Sequence, residues 1–479
     1  EARLLAPADP NAPEALDAHP LVREHFGEQL QENHPEAWRE ANERLYEYYQ
    51  GQAPEQPDTL EEMAPLFLAV AHGCAAEQYQ EALDDIFFLR IRRRNDGYSV
   101  HKLGAIGSDL ASLSNFFDPP WKQVVEELTE PDQAFVLNNA GFHLRALGRL
   151  AEAAEPMQAS IDNYIAQEQW EFAARCASNL SELHLTRGDV PAAIAAARQS
   201  VDLADKSGDA FMRIHRRVRL ADALHQSGCL GQAQTLFEKA EEVQKEHEPS
   251  YPLLYSLSGY QYCDLLLGRG QYERVRERAE QTLEWAKQYN LALLTVALDH
   301  LTLGRAYAFP LTQTLSQGER ALKIDADSPL PSGRQGVQSK GPGVREAAQA
   351  ASISASHHLT RAVDGLRQAG TSHHIPRGLL ARAAFTLTTG QFAKAQRDLD
   401  EAMAIATRGG MRLHECDAHL GYARLYVAVE ESPDGEDLGG LQDLRGLARK
   451  HLAAAKALVE ETGYHRRDAE LAEIEARLN

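Results

Sequence analysis

The 479-residue chain is short of positive charge: 70 Asp and Glu stand against 49 Lys and Arg, a formal charge of −21. That balance argues against nucleic acid or an anionic membrane as the main partner. No apolar run approaches the roughly 18–20 residues that a bilayer span requires. Aromatic residues make up only 7%, while Ala and Leu are ample, a mixture that favours helices over sheets. The five cysteines, Cys74, Cys176, Cys229, Cys263 and Cys416, form no CxxC pair and no even framework. This suits a reducing cytosol, so a cytoplasmic location is expected. No Gly-x-x-x-x-Gly-Lys-(Ser/Thr), Gly-x-Ser-x-Gly or His-Glu-x-x-His occurs, so neither a phosphate loop nor a catalytic constellation is expected. The chain is expected not to be an enzyme and to hold no cofactor of its own. It opens Glu1-Ala2-Arg3-Leu4-Leu5, without Met or a signal peptide, and is expected to be a piece of a longer protein. Its length exceeds one compact core, so several domains or one extended array must share it.

What is present is a period. The pattern Gly-x-(apolar)-x-x-(Ala/Val) occurs at Gly148/Leu150/Ala153, Gly188/Val190/Ala193, Gly228/Leu230/Ala233, Gly270/Tyr272/Val275 and Gly390/Phe392/Ala395. Successive glycines are 40, 40, 42 and 120 residues apart, the last equal to three further periods. A fixed period of this size implies stacked supersecondary units. Seven residues before each glycine stand Gly141, Ser181, Ala221, Cys263 and Ala383; twelve after stand Ser160, Ser200, Ala240, Thr282 and Ala402, all small. Nine after stand Met157, Ala197, Phe237, Ala279 and Leu399, all apolar. Each unit therefore reads as two helices, with the glycine ending the first and the small residues letting the pair approach closely.

These offsets resemble the tetratricopeptide repeat over roughly residues 131–308 and 375–479, with a period near 40 where about 34 is usual. The resemblance implies an all-α, right-handed α-solenoid of about seven to eight helical hairpins. It is similar to the longer repeats of large bacterial signalling ATPases and transcription activators. It also implies a concave groove lined by set positions of each first helix: Arg175 and His215; Asn138 and Tyr260; Phe142, Glu182, Asp222 and Asp264; Arg145 and His225. Glu182, Asp222 and Asp264 occupy one position in successive repeats and form an acidic ladder. The expected partner is a basic or amide-rich protein or peptide, or a basic face of a neighbouring nucleotide-binding module.

The remaining segments are assigned as follows. Residues 310–343, rich in Pro, Gly and Ser, read as a disordered insertion between two paired helices. A smaller acidic interruption lies at Glu431–Gly440, and a final helix over about Arg466–Leu478, charged on its outer face, reads as a cap. Residues 35–130 form a helical bridge of degenerate repeats, with an amphipathic helix over 35–50 and a hairpin around His72-Gly73. Residues 344–479 complete the repeats. The basic runs Arg90–Arg94 and Arg213–Arg219 are expected to pair with acidic helices or to dock an acidic segment. His357-His358 and His373-His374 are adjacent on their helices, so their rings should diverge, and no metal site is expected.

Residues 16–26, Leu-Asp-Ala-His19-Pro-Leu-Val-Arg-Glu-His-Phe, resemble the end of the winged-helix domain in STAND-class, NLR-like nucleotide switches. The resemblance makes residues 1–34 the C-terminal part of such a domain and His19 the histidine that approaches the β-phosphate of ADP in the parent. Pro20 stands where Asp is common. On this reading ATP or ADP belongs to the parent, which oligomerises on activation, and the chain is its sensing and autoinhibitory domain. A free-standing repeat scaffold is the alternative.

Overall fold

The computed structural model describes residues 20–308, 342–432 and 443–479. His19, nearly all of the 310–343 insertion and most of the Glu431–Gly440 interruption lie outside the described residues. The chain divides into two units, Glu1–Ser99 with Ser108–Thr129, and Val100–Gly107 with Glu130–Asn479. Among the described residues there is no β-strand, only an isolated bridge between Phe117 and Val124.

The first unit carries α1 (Pro20–Asn33), α2 (Pro35–Gln52) and α3 (Leu60–Ala75), followed by a π-helix over Ala82–Ile91. Proline opens α2, where a missing N–H costs nothing. Thr59 caps α3 by accepting from the Glu62 amide. Gly73 does not make the turn expected of it; it sits inside α3. A Cβ there would come within 2.9 Å of Ala82 Cβ and 3.0 Å of the Tyr46 ring, so glycine serves close helix packing. The basic run at 90–94 pairs internally. Arg90 donates to the carbonyls of Gln50, Ala53 and Pro54, and Arg93 donates to Pro57 O and Asp58.

The second unit is an α-solenoid of tetratricopeptide-like hairpins packed in consecutive pairs. Hairpin 1 is α4 (Glu130–Ala146) and α5 (Leu150–Ala166); hairpin 2 is α6 (Trp170–Arg187) and α7 (Val190–Ser207). Hairpin 3 is α8 (Ala210–Gln226) and α9 (Leu230–His247); hairpin 4 is α10 (Ser256–Gly268) and α11 (Tyr272–Gln288). Hairpin 5 pairs α12 (293–308) with α13 (Pro342–Gln368). Hairpin 6 is α14 (Ile375–Thr388) and α15 (Phe392–Gly409), hairpin 7 is α16 (Arg412–Glu431) and α17 (Leu444–Thr462), and α18 (Asp468–Leu478) follows.

The periodic residues make the seams between helices. Met157, Ala197, Phe237, Ala279 and Leu399 are all buried. Fully burying a side chain of the size of Phe or Leu contributes roughly 1.5–3 kcal/mol relative to exposure. In hairpins 1 and 2 a small polar residue ties the second helix to the first. Ser160 Oγ donates to Ala134 O at 2.9 Å, and one period later Ser200 Oγ donates to Ala174 O at 2.7 Å. A hydroxyl that satisfies itself on a neighbouring backbone carbonyl is what a close, buried helix approach permits.

The array also closes on itself. Gly188 ends α6 in the left-handed region (φ 86°), and a Cβ there would meet Arg412 Cβ at 2.5 Å and Thr462 Cγ2 at 2.9 Å. Gly148 lies likewise against Met411, and Gly228 against the backbone of His465. Hairpin 2 therefore touches hairpin 7, five units further on. One apolar cluster confirms the contact, joining Leu185, Val190 and Ala193 to Leu413, Leu458, Val459 and Tyr464. The segment after α17 shifts the start of the expected final helix by two residues. Its helix starts at Asp468, and His465–Arg467 form a 3₁₀ turn whose arginines point inward.

Candidate functional site: the groove of the array

The first helices α4, α6, α8 and α10 present one face to the interior, and hairpins 6 and 7 cover it. The acidic ladder is therefore buried, and the chain's own guanidinium groups hold two of its three rungs. Glu182, 3% exposed, takes Arg145 and Arg219 on its Oε2 atom, the latter at 3.2 Å. Asp264 takes Arg466 in a two-pronged pair, Nη2 to Oδ1 at 2.9 Å with Nη1 on Oδ2, and Arg305 at 2.6 Å. Asp222 differs. It accepts from the amides of Gln226 at 2.8 Å and Gln261 at 2.7 Å, while Arg219 Nη1 remains 3.9 Å away.

These partners set the protonation of the three rungs. Burial alone would raise all of them. At Glu182 the guanidinium groups of Arg145 and Arg219 outweigh burial and hold the carboxyl well below its usual range. At Asp264 Arg466 and Arg305 do the same. At Asp222 burial wins over the more distant arginines, and its pKa is raised. The ladder is thus two fixed carboxylates around one softened rung.

The other groove residues fall into place around it. Arg145 is buried and lies over the Phe142 ring at 5.3 Å. Arg175 lies over Phe172 at 4.8 Å. Asn138 accepts from the Asn179 amide at 3.2 Å. His215 contacts Ser258 Oγ at 3.0 Å, and burial, with Arg216 and Arg219 nearby, pushes its pKa down to about 3. His225 Nδ1 stands 3.9 Å from Asp264 Oδ2, and burial with Arg466 holds its pKa well below the usual value. Tyr260 is buried under Arg377, whose guanidinium lies 5.6 Å from the ring centroid. The basic run at 213–219 is absorbed within the array: Arg213 and Arg217 bind Asp205, and Arg219 binds Glu182.

Sequence reasoning placed Arg145 in the groove and expected the 213–219 run to meet acidic helices, but it missed the cations from the far hairpins. Arg305, Arg377 and Arg466 come from hairpins 5 and 6 and the 3₁₀ turn, and Arg466 lies 202 residues from Asp264. It also missed the turn Ser372–His374. The rings of His373 and His374 do not diverge: their centroids are 4.0 Å apart at 38°, and both face Glu182.

No protein-family model and no curated protein matches the chain. Among solved structures it is similar to the crystal structure of Rap protein complexed with Competence and Sporulation Factor. That likeness has 12% identity, covers 92% of this chain and 99% of that one, and reaches a TM-score of 0.47. At that level the functional reading stands on this chain's own residues. No helix among the described residues is long and apolar enough to cross a membrane.

Proposed function

We propose that the chain is a protein- or peptide-sensing repeat domain held in a closed state by its own C-terminal hairpins. The observation that carries this reading is the occupancy of the groove. Two of the three ladder acids expected to meet a basic partner, Glu182 and Asp264, are instead bound by arginines of the same chain, above all Asp264 by Arg466 and Arg305. A trigger of basic character competes for the same carboxylates and releases the turn that bears Arg466. Such a trigger shifts the closed–open equilibrium only by its preference for the open state. Moving it from 1:99 to 99:1 takes roughly 5.5 kcal/mol of differential binding.

In the wider proposal the chain is the autoinhibitory sensor of a STAND-type ATPase. The residue pattern at 16–26 and the long repeat period support this. Nucleotide binding, oligomerisation on activation and cytoplasmic location belong to that proposal, and this chain needs no cofactor for it.

The test uses the chain and two variants as bait in a lysate of the native host. Arg466→Ala opens the groove and keeps the acids; Asp264→Asn opens it and removes one acid. A partner enriched by Arg466→Ala and lost with Asp264→Asn supports the reading. The same partners at the same yield on all three baits contradict it.

A further inference from the structure

Glu182, His373 and His374 each offer one ligand atom, and these atoms lie within 4.8 Å of one another in the buried interior. We propose that they form a metal site for a divalent first-row ion, zinc foremost, which staples hairpin 2 to the turn ahead of hairpin 6. The proposal does not depend on the sensing role.

Four observations carry it. First, the carboxylate is divided between two tasks: Arg145 and Arg219 both bind Oε2, while Oε1 makes no hydrogen bond and faces His374 Nε2 at 4.0 Å. Second, His374 Nδ1 has no hydrogen-bond partner, and neither ring nitrogen of His373 makes a well-formed hydrogen bond. Buried polar atoms are ordinarily satisfied, so a cluster left open on facing side chains marks a missing partner. Third, the donor chemistry fits. Two neutral imidazoles and one carboxylate are a recognised zinc set, leaving a fourth position for water. Fourth, the surroundings supply an outer shell: the Ala146 carbonyl stands near His373 as a backbone acceptor, and the two arginines orient the carboxylate. Zinc bonds of about 2.0–2.2 Å place tetrahedral donor atoms roughly 3.3–3.6 Å apart, so loading draws the three side chains together slightly. The neighbouring arginines favour an anionic group such as hydroxide in the fourth position.

The experiment is zinc analysis of the full 479-residue chain purified from zinc-supplemented medium, by plasma mass spectrometry. The metal-stripped chain is then titrated with Zn²⁺ against a chromophoric chelator. One equivalent per chain is expected. His374→Ala should weaken binding by more than the roughly 10–100-fold typical of outer-shell changes. His419→Ala, in the separate His419–His451 pair, should leave it unchanged. No zinc above background in the wild-type chain, or full binding by His374→Ala, overturns the proposal. If His374→Ala does not fold, X-ray absorption on the zinc-loaded wild type decides. A shell of two imidazoles with oxygen is expected, and a shell containing sulfur or lacking imidazole overturns the site.

Discussion

The seams between neighbouring helices and the groove between distant hairpins hold the same helices by opposite chemistry. At the seams Met157, Ala197, Phe237, Ala279 and Leu399 are buried among apolar neighbours, and serine hydroxyls close onto backbone carbonyls. In the groove buried acids meet buried or partly buried arginines. Apolar packing is tolerant of partner and has little to undo it short of unfolding. A buried ion pair gains little net stability when made, yet costs several kcal/mol when one member is removed. An array built this way stays assembled along its length while its closure remains sensitive to a competing charge.

Substitutions can break that contrast one side at a time. Phe237→Ala empties a fully buried seam position and should cost about 3–5 kcal/mol in chemical denaturation, with hairpins 2–4 losing protection together. Asp264→Asn leaves Arg466 and Arg305 facing a neutral amide and should cost roughly 2–4 kcal/mol, whereas Asp222→Asn, at a rung already held by two amides, should cost under about 1 kcal/mol. Equal costs at the two rungs would contradict the assignment. Gly188→Ala and Gly390→Ala share the strain of a left-handed residue, about 1–2 kcal/mol. Only Gly188 also meets Arg412 and Thr462, since nothing lies within 4 Å of a Cβ at Gly390, so Gly188→Ala should cost more and should loosen α16 selectively.

Acid should act on the two regions with opposite sign. His225 in the groove is held neutral by burial, with Arg466, Arg467 and Arg305 adding to it and Asp264 opposing, so its pKa lies well below the usual value near 6.5. Stability tied to the neutral ring is complete above about pH 6.5 and is lost as pH falls below it. At the seam between α11 and α12, Asp299 accepts from Thr282 Oγ1 at 2.8 Å, and burial pushes its pKa up to about 7. Stability tied to its protonated form is present below about pH 4 and is lost as pH rises to 7. Hydrogen exchange at pH 7 and pH 5, corrected for intrinsic rates, should show the 465–467 turn opening more readily at pH 5 while α11 and α12 open less readily. A parallel response of both segments would contradict this.

The seams were legible in the sequence because a period of 40 records them: each apolar site is fixed by its distance from a local glycine. The first-helix positions of the ladder were legible for the same reason. Closure was not, because Gly188 and Arg412 meet through the accumulated rotation of five hairpins, which no local pattern encodes. The inward turn of Arg466 and Arg467 was not legible either, since nothing in the final charged segment separates two inward arginines from solvent-bound ones. Only the path of the array turns them inward. The approach of the His373 and His374 rings to 4.0 Å was not legible, because adjacent positions project apart on an α-helix and on a 3₁₀ turn alike, and no local pattern records such a contact.

The chain itself closes the groove, and a double-mutant cycle between Asp264 and Arg466 measures that closure. Unfolding free energies of the wild type, Asp264→Asn, Arg466→Met and the double variant give the coupling between two residues 202 positions apart. The closed groove predicts a coupling of about 1.5 kcal/mol or more. Additivity within roughly 0.3–0.5 kcal/mol, the behaviour of independent sites, would contradict it.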